Sequence, residues 1–285
     1  MIIVTGATGA LGSATVRALL DRMPADQIGV SVRDTAKAAD LAARGVRVRP
    51  GDFADPASLA RAFEGADRVL VVSGSTLGPD GVDMHAAAAR AAADAGAERV
   101  FYTAHQNTKA DSPVAFSVDH AHTEAALAEI GTPWTSLRNG FYAHTVGWLI
   151  AGATETGELL LPEDGPISWT AREDLALADA VLLIDGPTFD GPTPALTAAE
   201  AVTFEDVART LSEVTGTTVR RTVIADDEWL ARQTAAGMPD AAAQMMLGMF
   251  RGARAGEFDE VDPLLAELLG REPVSIRTII ERTLA

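Results

Sequence analysis

Through its first half the chain keeps returning to one arrangement. A short apolar, β-branched segment is followed by a polar turn, then by a segment whose apolar residues recur at helical spacing. "MIIVT" precedes "ALGSATVRALLDR", "IGVSV" precedes "TAKAADLAARG", and "VRVR" precedes "DPASLARAFEG". "RVLVV" then leads to "VDMHAAAARAAADAG", "RVFYT" leads to "DHAHTEAALAEIG", and a further strand, "PWTSLR", closes the series. In the first helix Leu11, Val16, Leu19 and Leu20 carry the helical period. Strands alternating with helices through short turns require a parallel sheet covered on both faces, with right-handed crossovers. The expected fold class is α/β, a doubly wound parallel sheet.

Beyond Gly152 the rhythm changes. Short strand candidates ("ELLLP", "PISWT", "TPALT", "TVRRTVI") alternate with helices such as "REDLALADAVLLI", "TFEDVARTLSEVTG" and "DDEWLARQTAAG". The expected organisation is a nucleotide-binding domain over 1–151 and a smaller, mainly helical substrate lid over 152–285. "GPTFDGPTP" reads as a turn-rich connector, after which a strand near 193–197 is placed to rejoin the main sheet. A single undivided domain is the alternative.

The turn after the first strand is rich in glycine: Gly6-Ala7-Thr8-Gly9-Ala10-Leu11-Gly12. Gly6 suits a tight turn, Gly9 lets backbone approach a diphosphate, and Gly12 lets helix and strand pack closely. The helix that follows offers unpaired N–H groups and a partial positive charge. Thr8, Ala10 and Leu11 join Gly6 and Gly9 as expected cofactor contacts. The fold type is thus Rossmann-like.

Arg33 lies 21 residues past Gly12, about where a ribose-reading residue stands in such folds. An acid there would accept hydrogen bonds from a 2′-hydroxyl. A guanidinium instead offers a planar fork to a 2′-phosphate, and Lys37 adds a second charge. NADPH is therefore favoured over NADH. The alternative is that Asp34 reads the ribose of NAD while Arg33 is merely solvated. Asp52 and Phe53, after the third strand, are placed to flank the adenine. Ser73, Gly74 and Ser75 end the fourth strand with small residues that suit a passing ribose, and Thr103 ends the fifth.

Composition narrows the rest. Net charge is −17, which argues against nucleic acid or an anionic membrane as partner. There is no cysteine, so thiolate chemistry and zinc–cysteine sites are excluded. Met1 runs directly into a strand, so a cytoplasmic protein without leader or membrane span is expected.

With "GATGALG", "VRDTAKAADLAARG", "GDFADPASLARAFEGADRVLVVSGS", "VFYTA", "DHAHTEAALAEIGTPWTSLRNGFY" and "TAREDLALADAVLLI" in order, the chain resembles the NmrA-like atypical short-chain dehydrogenases. Within them it is most similar to the NADPH:quinone oxidoreductase type 2 group. The resemblance implies a nucleotide domain, a small C-terminal domain and a substrate cleft between them. It also implies that Arg33 reads the 2′-phosphate and that Asn139 lies near the quinone. Asn139 is thus one expected catalytic residue, and His105 is the other.

Typical short-chain dehydrogenases rely on Tyr-x-x-x-Lys, whose tyrosine protonates an alkoxide. This chain departs from that pattern, since Gln106 and Val146 stand four residues after its two tyrosines, Tyr102 and Tyr142. Quinone reduction demands less. Hydride addition leaves a phenolate-type oxygen, with a conjugate acid near the ~10 of tyrosine.

His105 follows "VFYTA" at the carboxyl edge of the sheet, where it suits a general acid or a substrate hydrogen bonder. The resembled group usually has an apolar residue there. His120 and His122 lie on the following helix with roles left open, and no spacing fixes a metal geometry, so no metal is expected. After the sixth strand Phe141, Tyr142 and Trp148, with His144 beside them, form a cluster suited to a flat aromatic substrate or to stapling the lid. The methionines of "QMMLGMF" read as core packing.

The expected function is NADPH-dependent hydride transfer to a quinone or quinone-like aromatic carbonyl. One alternative is reductive activation of a polycyclic quinone that then reacts with oxygen, for a net hydroxylation. The other is a dinucleotide-sensing regulator without turnover. A homodimer is left open.

Overall fold

The computed structural model describes residues 1–285. In chain order the elements are β1 (Ile2–Thr5), α1 (Ala10–Leu20), β2 (Ile28–Val32), α2 (Ala39–Ala43), β3 (Arg47–Pro50), α3 (Pro56–Phe63) and β4 (Arg68–Val71). Then come α4 (Pro79–Asp94), β5 (Arg99–His105), α5 (Ala115–Ala128), β6 (Trp134–Asn139), α6 (His144–Leu149), α7 (Ala153–Thr156) and β7 (Glu158–Leu161). The remainder is α8 (Arg172–Ile184), β8 (Gly191–Pro192), α9 (Phe204–Thr215), β9 (Arg220–Val223), α10 (Asp226–Ala235), α11 (Asp240–Arg254), α12 (Leu264–Leu269) and α13 (Ile276–Leu284).

The backbone divides into two compact units. The first comprises Met1–Ala110, Phe116–Asn139 and Arg172–Leu196; the second comprises Asp111–Ala115, Gly140–Ala171 and Thr197–Ala285. This division differs from a boundary at 151/152: the second unit already takes in Asp111–Ala115 and begins again at Gly140, and the chain returns to the first unit over Arg172–Leu196. The return is held by α8, which packs on α1, where Thr15 Oγ1 donates to the buried Asp179 carboxylate at 3.1 Å. Arg68 seals the end of α8 by donating to the carbonyls of Leu183 and Ile184, each at 2.7 Å.

The first unit is the doubly wound α/β fold. Its sheet has seven strands in the order β3-β2-β1-β4-β5-β6-β8, and every pairing is parallel. β1 and β2 are buried along their whole length, as strands covered on both faces must be. β3 closes one edge with Arg47 and Arg49, which donate to carbonyls at the end of α3. Small residues let α4 sit close on the sheet: Ala88, Ala89 and Ala92 pack with Ile3, Val69 and Val100. Phe63 fills the space beside them, and its complete burial contributes roughly 2–3 kcal/mol.

The far edge differs from the strand expected over 193–197. Pairing begins earlier, at Gly191–Pro192, and Leu196 makes only a single bridge to Asn139. Pro194 has no N–H to continue a ladder, and the Thr193 hydroxyl accepts from the Arg138 amide at 3.1 Å where a backbone carbonyl would otherwise do so.

The second unit has one small sheet, β7 paired in parallel with β9. "PISWT" forms no strand there; Ile167 and Thr170 make isolated bridges to Val202 and Tyr142. Aromatic packing takes over that role. Phe141 meets Trp169 and Phe258, Trp169 meets Phe204, and Phe250 lies between Phe204 and Trp229, with ring centroids 5.1–5.8 Å apart. No helix of the chain is long and apolar enough to cross a membrane.

Candidate active site

Because all pairings in the large sheet are parallel, the carboxyl ends of its strands share one edge. The strand order reverses between β1 and β4, which makes that edge the place where this fold type binds ligands. Gly6–Gly12, Arg33, Asp52, Phe53, Ser73–Ser75, His105 and Asn139 all follow or end strands there.

The loop after β1 has the required geometry at two points. Gly6 has φ +59°, the left-handed region that disfavours side chains. At Gly12 a Cβ would stand 2.5 Å from the Gly6 carbonyl oxygen, so the helix could not approach the turn with any larger residue. Gly9 is the N-cap of α1 and offers no side-chain acceptor to the first-turn amides. Those amides fit the oxygens of a diphosphate.

Arg33 and Lys37 are both exposed. Asp34 is otherwise engaged, for its Oδ1 accepts from the Ala36 amide at 3.0 Å and caps the 3-10 turn Thr35–Ala38. That tight turn replaces the start of the longer helix expected from "TAKAADLAARG", which shortens to α2. Asp52 is partly engaged too: its carboxylate accepts from Ala54 N at 3.0 Å, and its amide donates to Ser58 Oγ at 2.9 Å. Phe53 is half-buried, its ring edge-on to His85 at 6.0 Å.

Thr103 is buried and acts inside the protein. Its hydroxyl accepts from the Ser73 amide at 2.8 Å and lies 3.0 Å from Ser73 Oγ, which ties the loop after β4 to β5. The next residue is anchored likewise, since the Gly74 amide donates to His85 Nε2 at 2.8 Å.

His105 and Asn139 are register partners at the ends of β5 and β6. Asn139 is only 1% exposed, yet neither carboxamide atom has a hydrogen-bond partner. A buried amide without partners is costly, which fits a group kept for a ligand. Burial pushes the His105 imidazole down to about 3, aided by neighbouring His120. It is neutral near pH 7 and suits hydrogen bonding better than proton donation as a cation. His120 is also pushed down to about 3 by burial and then by His85. His122 and His144 are exposed.

The remaining substrate candidates belong to the second unit. Phe141 is committed to the aromatic core beside Trp169 and Phe258. Tyr142 is half-buried beside His144, and Trp148 is 60% exposed on α6. No group of three or more His, Cys, Asp or Glu is arranged to hold a metal ion.

Sequence reasoning passed over His85 and gave Tyr102 no role beyond the missing lysine partner. His85 is buried on α4, and a signal for it exists: it falls three, four and seven residues before Ala88, Ala89 and Ala92, on the same buried face.

The model of the NmrA-like family matches residues 1–276. The chain belongs to the NmrA-like family. Among NmrA-like relatives, Quinone oxidoreductase 2 of Escherichia coli (strain K12) is 32% identical over 279 residues, covering 97% of this chain and 96% of that one. An NAD(P)H azoreductase of Xenophilus azovorans is 34% identical over 248 residues, covering 86% of this chain and 85% of its own. The crystal structure of Citrobacter sp. triphenylmethane reductase complexed with NADP(H) superposes with a TM-score of 0.93 at 30% identity. That comparison covers 99% of this chain and 100% of the reductase.

Proposed function

We propose that the protein is an NADPH-dependent oxidoreductase that transfers hydride to a quinone or quinone-like aromatic carbonyl. The observation that carries the reading is the charge arrangement after β2. Arg33 and Lys37 stand exposed, while Asp34, which would read an unphosphorylated ribose, has its carboxylate in a cap. The family and its reductase relatives support the coarser statement, an NAD(P)H-dependent oxidoreductase.

In this reading the α1 amides and the Gly6–Gly12 turn hold the diphosphate, and the guanidinium of Arg33 grips the 2′-phosphate through paired N–H donors. Bound NADPH supplies the hydride. Asn139 has a free amide donor for the acceptor's oxygen, and neutral His105 adds a second hydrogen-bonding group beside it. Reduction of a quinone by hydride leaves a single oxyanion that needs one proton. That oxyanion is a weak base, its conjugate acid lying near the ~10 of a phenol and far below an aliphatic alcohol, so it forms without a dedicated acid and water supplies the proton afterwards. The absence of Tyr-x-x-x-Lys therefore fits this acceptor and disfavours aliphatic ketones.

The test is NADPH consumption with a panel of quinones and an aliphatic ketone control. Turnover with quinones alone, reduced at least ~10-fold in Asn139→Ala, is expected. Tight NADPH binding with no turnover on any quinone would instead support a dinucleotide-binding regulator.

A further inference from the structure

The first unit contains a chain of polar rings, with Tyr102 and His85 buried and His120 half-buried. Tyr102 Oη lies 2.7 Å from His120 Nδ1 and 3.4 Å from His85 Nδ1. His85 in turn receives the Gly74 amide on Nε2 at 2.8 Å. The ring centroids of Tyr102 stand 5.5 Å from His85 and 5.6 Å from His120. Thus the loop after β4, helix α4, strand β5 and helix α5 are joined through three side chains.

The direction of these bonds follows from elementary donor counting. A backbone amide can only donate, so His85 Nε2 carries no proton. A neutral His85 must then hold its proton on Nδ1, which points at Tyr102 Oη. Tyr102 accepts there and has one proton to give; Thr123 also lies beside the phenol, with its own hydroxyl proton on the Asp119 carbonyl at 3.0 Å, and the short 2.7 Å contact directs the Tyr102 proton to His120 Nδ1. A neutral His120 is left with its proton on Nε2. Burial keeps both rings neutral near pH 7, His85 being pushed down to about 4. Burial also raises the Tyr102 phenol above its ordinary range. The carboxylates that act on the chain are Asp119 and Glu124 of α5, and His105 is the imidazole next to His120.

Such a chain is a poor proton wire. Passing a proton outward from His120 would draw one from Tyr102 and then from His85. His85 would become an anion against an amide that has no proton to relay. What the arrangement does well is hold a donor in one orientation.

We propose that His85 and Tyr102 are positioning residues that lock His120 as a neutral Nε2–H donor beside His105, and tie that donor to the Gly74 loop. The inference rests on the quinone reductase reading, in which a fixed neutral donor polarises the acceptor's oxygen without protonating it. It adds a selection rule: acceptors that must be protonated as hydride arrives are not served by this site.

Nitrogen-15 NMR of the histidine side chains in the full-length protein tests the lock without reference to turnover. Opposite tautomers are expected, His85 protonated on Nδ1 and His120 on Nε2, unchanged from pH 6 to pH 8. In Tyr102→Phe, His120 should become a tautomer mixture, and kcat with a quinone should fall ~10-fold while KM for NADPH stays within twofold. His85→Ala should instead raise KM for NADPH by loosening the Gly74 loop. A His120 protonated on Nδ1, or titrating as a cation in that range, would overturn the proposal. So would a Tyr102→Phe variant with unchanged tautomers and unchanged kcat. Correct tautomers in a protein that reduces no quinone would leave the lock standing and defeat the quinone reading alone.

Discussion

The interiors of the two units are made in different ways. In the first, a seven-stranded parallel ladder sets every position, and small aliphatic side chains such as Ile3, Val69, Ala88 and Ala92 fill the gaps between sheet and helices. In the second, the only sheet is the β7–β9 pair, and a continuous run of rings from Phe141 through Trp169, Phe204 and Phe250 to Trp229 supplies the order. Where backbone hydrogen bonds hold the frame, single points of close backbone approach are critical. Where rings hold it, individual large side chains are.

That contrast is breakable by substitution. Phe250→Ala removes the ring that joins Phe204 to Trp229 and should cost about 3–5 kcal/mol, read as a drop in denaturation midpoint. A loss below ~1 kcal/mol would show that the ring chain is not what organises the second unit.

In the first unit the most exposed weakness is electrostatic. Burial pushes the Asp179 carboxyl up to about 7, against a slight opposing effect of the Thr15 hydrogen bond. The folded state therefore holds that proton more tightly than the unfolded chain, whose aspartate titrates near 4. Stability from this group is fully present below about pH 4, declines as pH rises towards 7 and is constant above it. Asp179→Asn should remove the decline and make the protein more stable at pH 8, by on the order of 2–3 kcal/mol, with little change at pH 4. Equal pH profiles for variant and parent would sink this account of the α1–α8 contact.

Gly12→Ala sharpens the comparison at the backbone. The new Cβ meets the Gly6 carbonyl, so the turn must shift, with a cost of about 1–3 kcal/mol expressed mainly as weaker dinucleotide binding. Unchanged affinity by fluorescence titration would separate the loop from the cofactor. The smallest effect is expected at Lys37→Ala, an exposed charge, where NADPH affinity should fall only ~2- to 5-fold relative to the parent, a difference that shrinks on adding salt.

The same contrast explains what could be read from the chain beforehand. A parallel ladder imposes period and length on its strands, so "IGVSV" coincides with β2 at Ile28–Val32, while the helix after it is shortened to α2 by the 3-10 turn Thr35–Ala38. The backbone demands at Gly6 and Gly12 and the place of Arg33 just after β2 were legible because they depend on position relative to β1 and β2. The ring-built region leaves no such trace. Phe141, Trp169, Phe204, Phe250 and Phe258 are far apart in sequence and meet only after folding, and "PISWT" looked like a strand because its apolar residues serve that ring cluster. His85 was hidden differently: amid the alanines of α4 its periodicity was visible, but its partners, Gly74 and Tyr102, come from two other elements. The engagement of Asp34 in a cap depends on a turn that no periodicity reports.

Everything proposed for the carboxyl edge begins with a dinucleotide whose 2′-phosphate is met by Arg33. Calorimetric titration of the parent protein and of Arg33→Glu with NADPH and with NADH measures that directly. The account requires the parent to bind NADPH at least ~10-fold more tightly than NADH, with the preference lost or reversed in the variant. Equal affinities in the parent, a preference that survives Arg33→Glu, or no heat with either dinucleotide would contradict it.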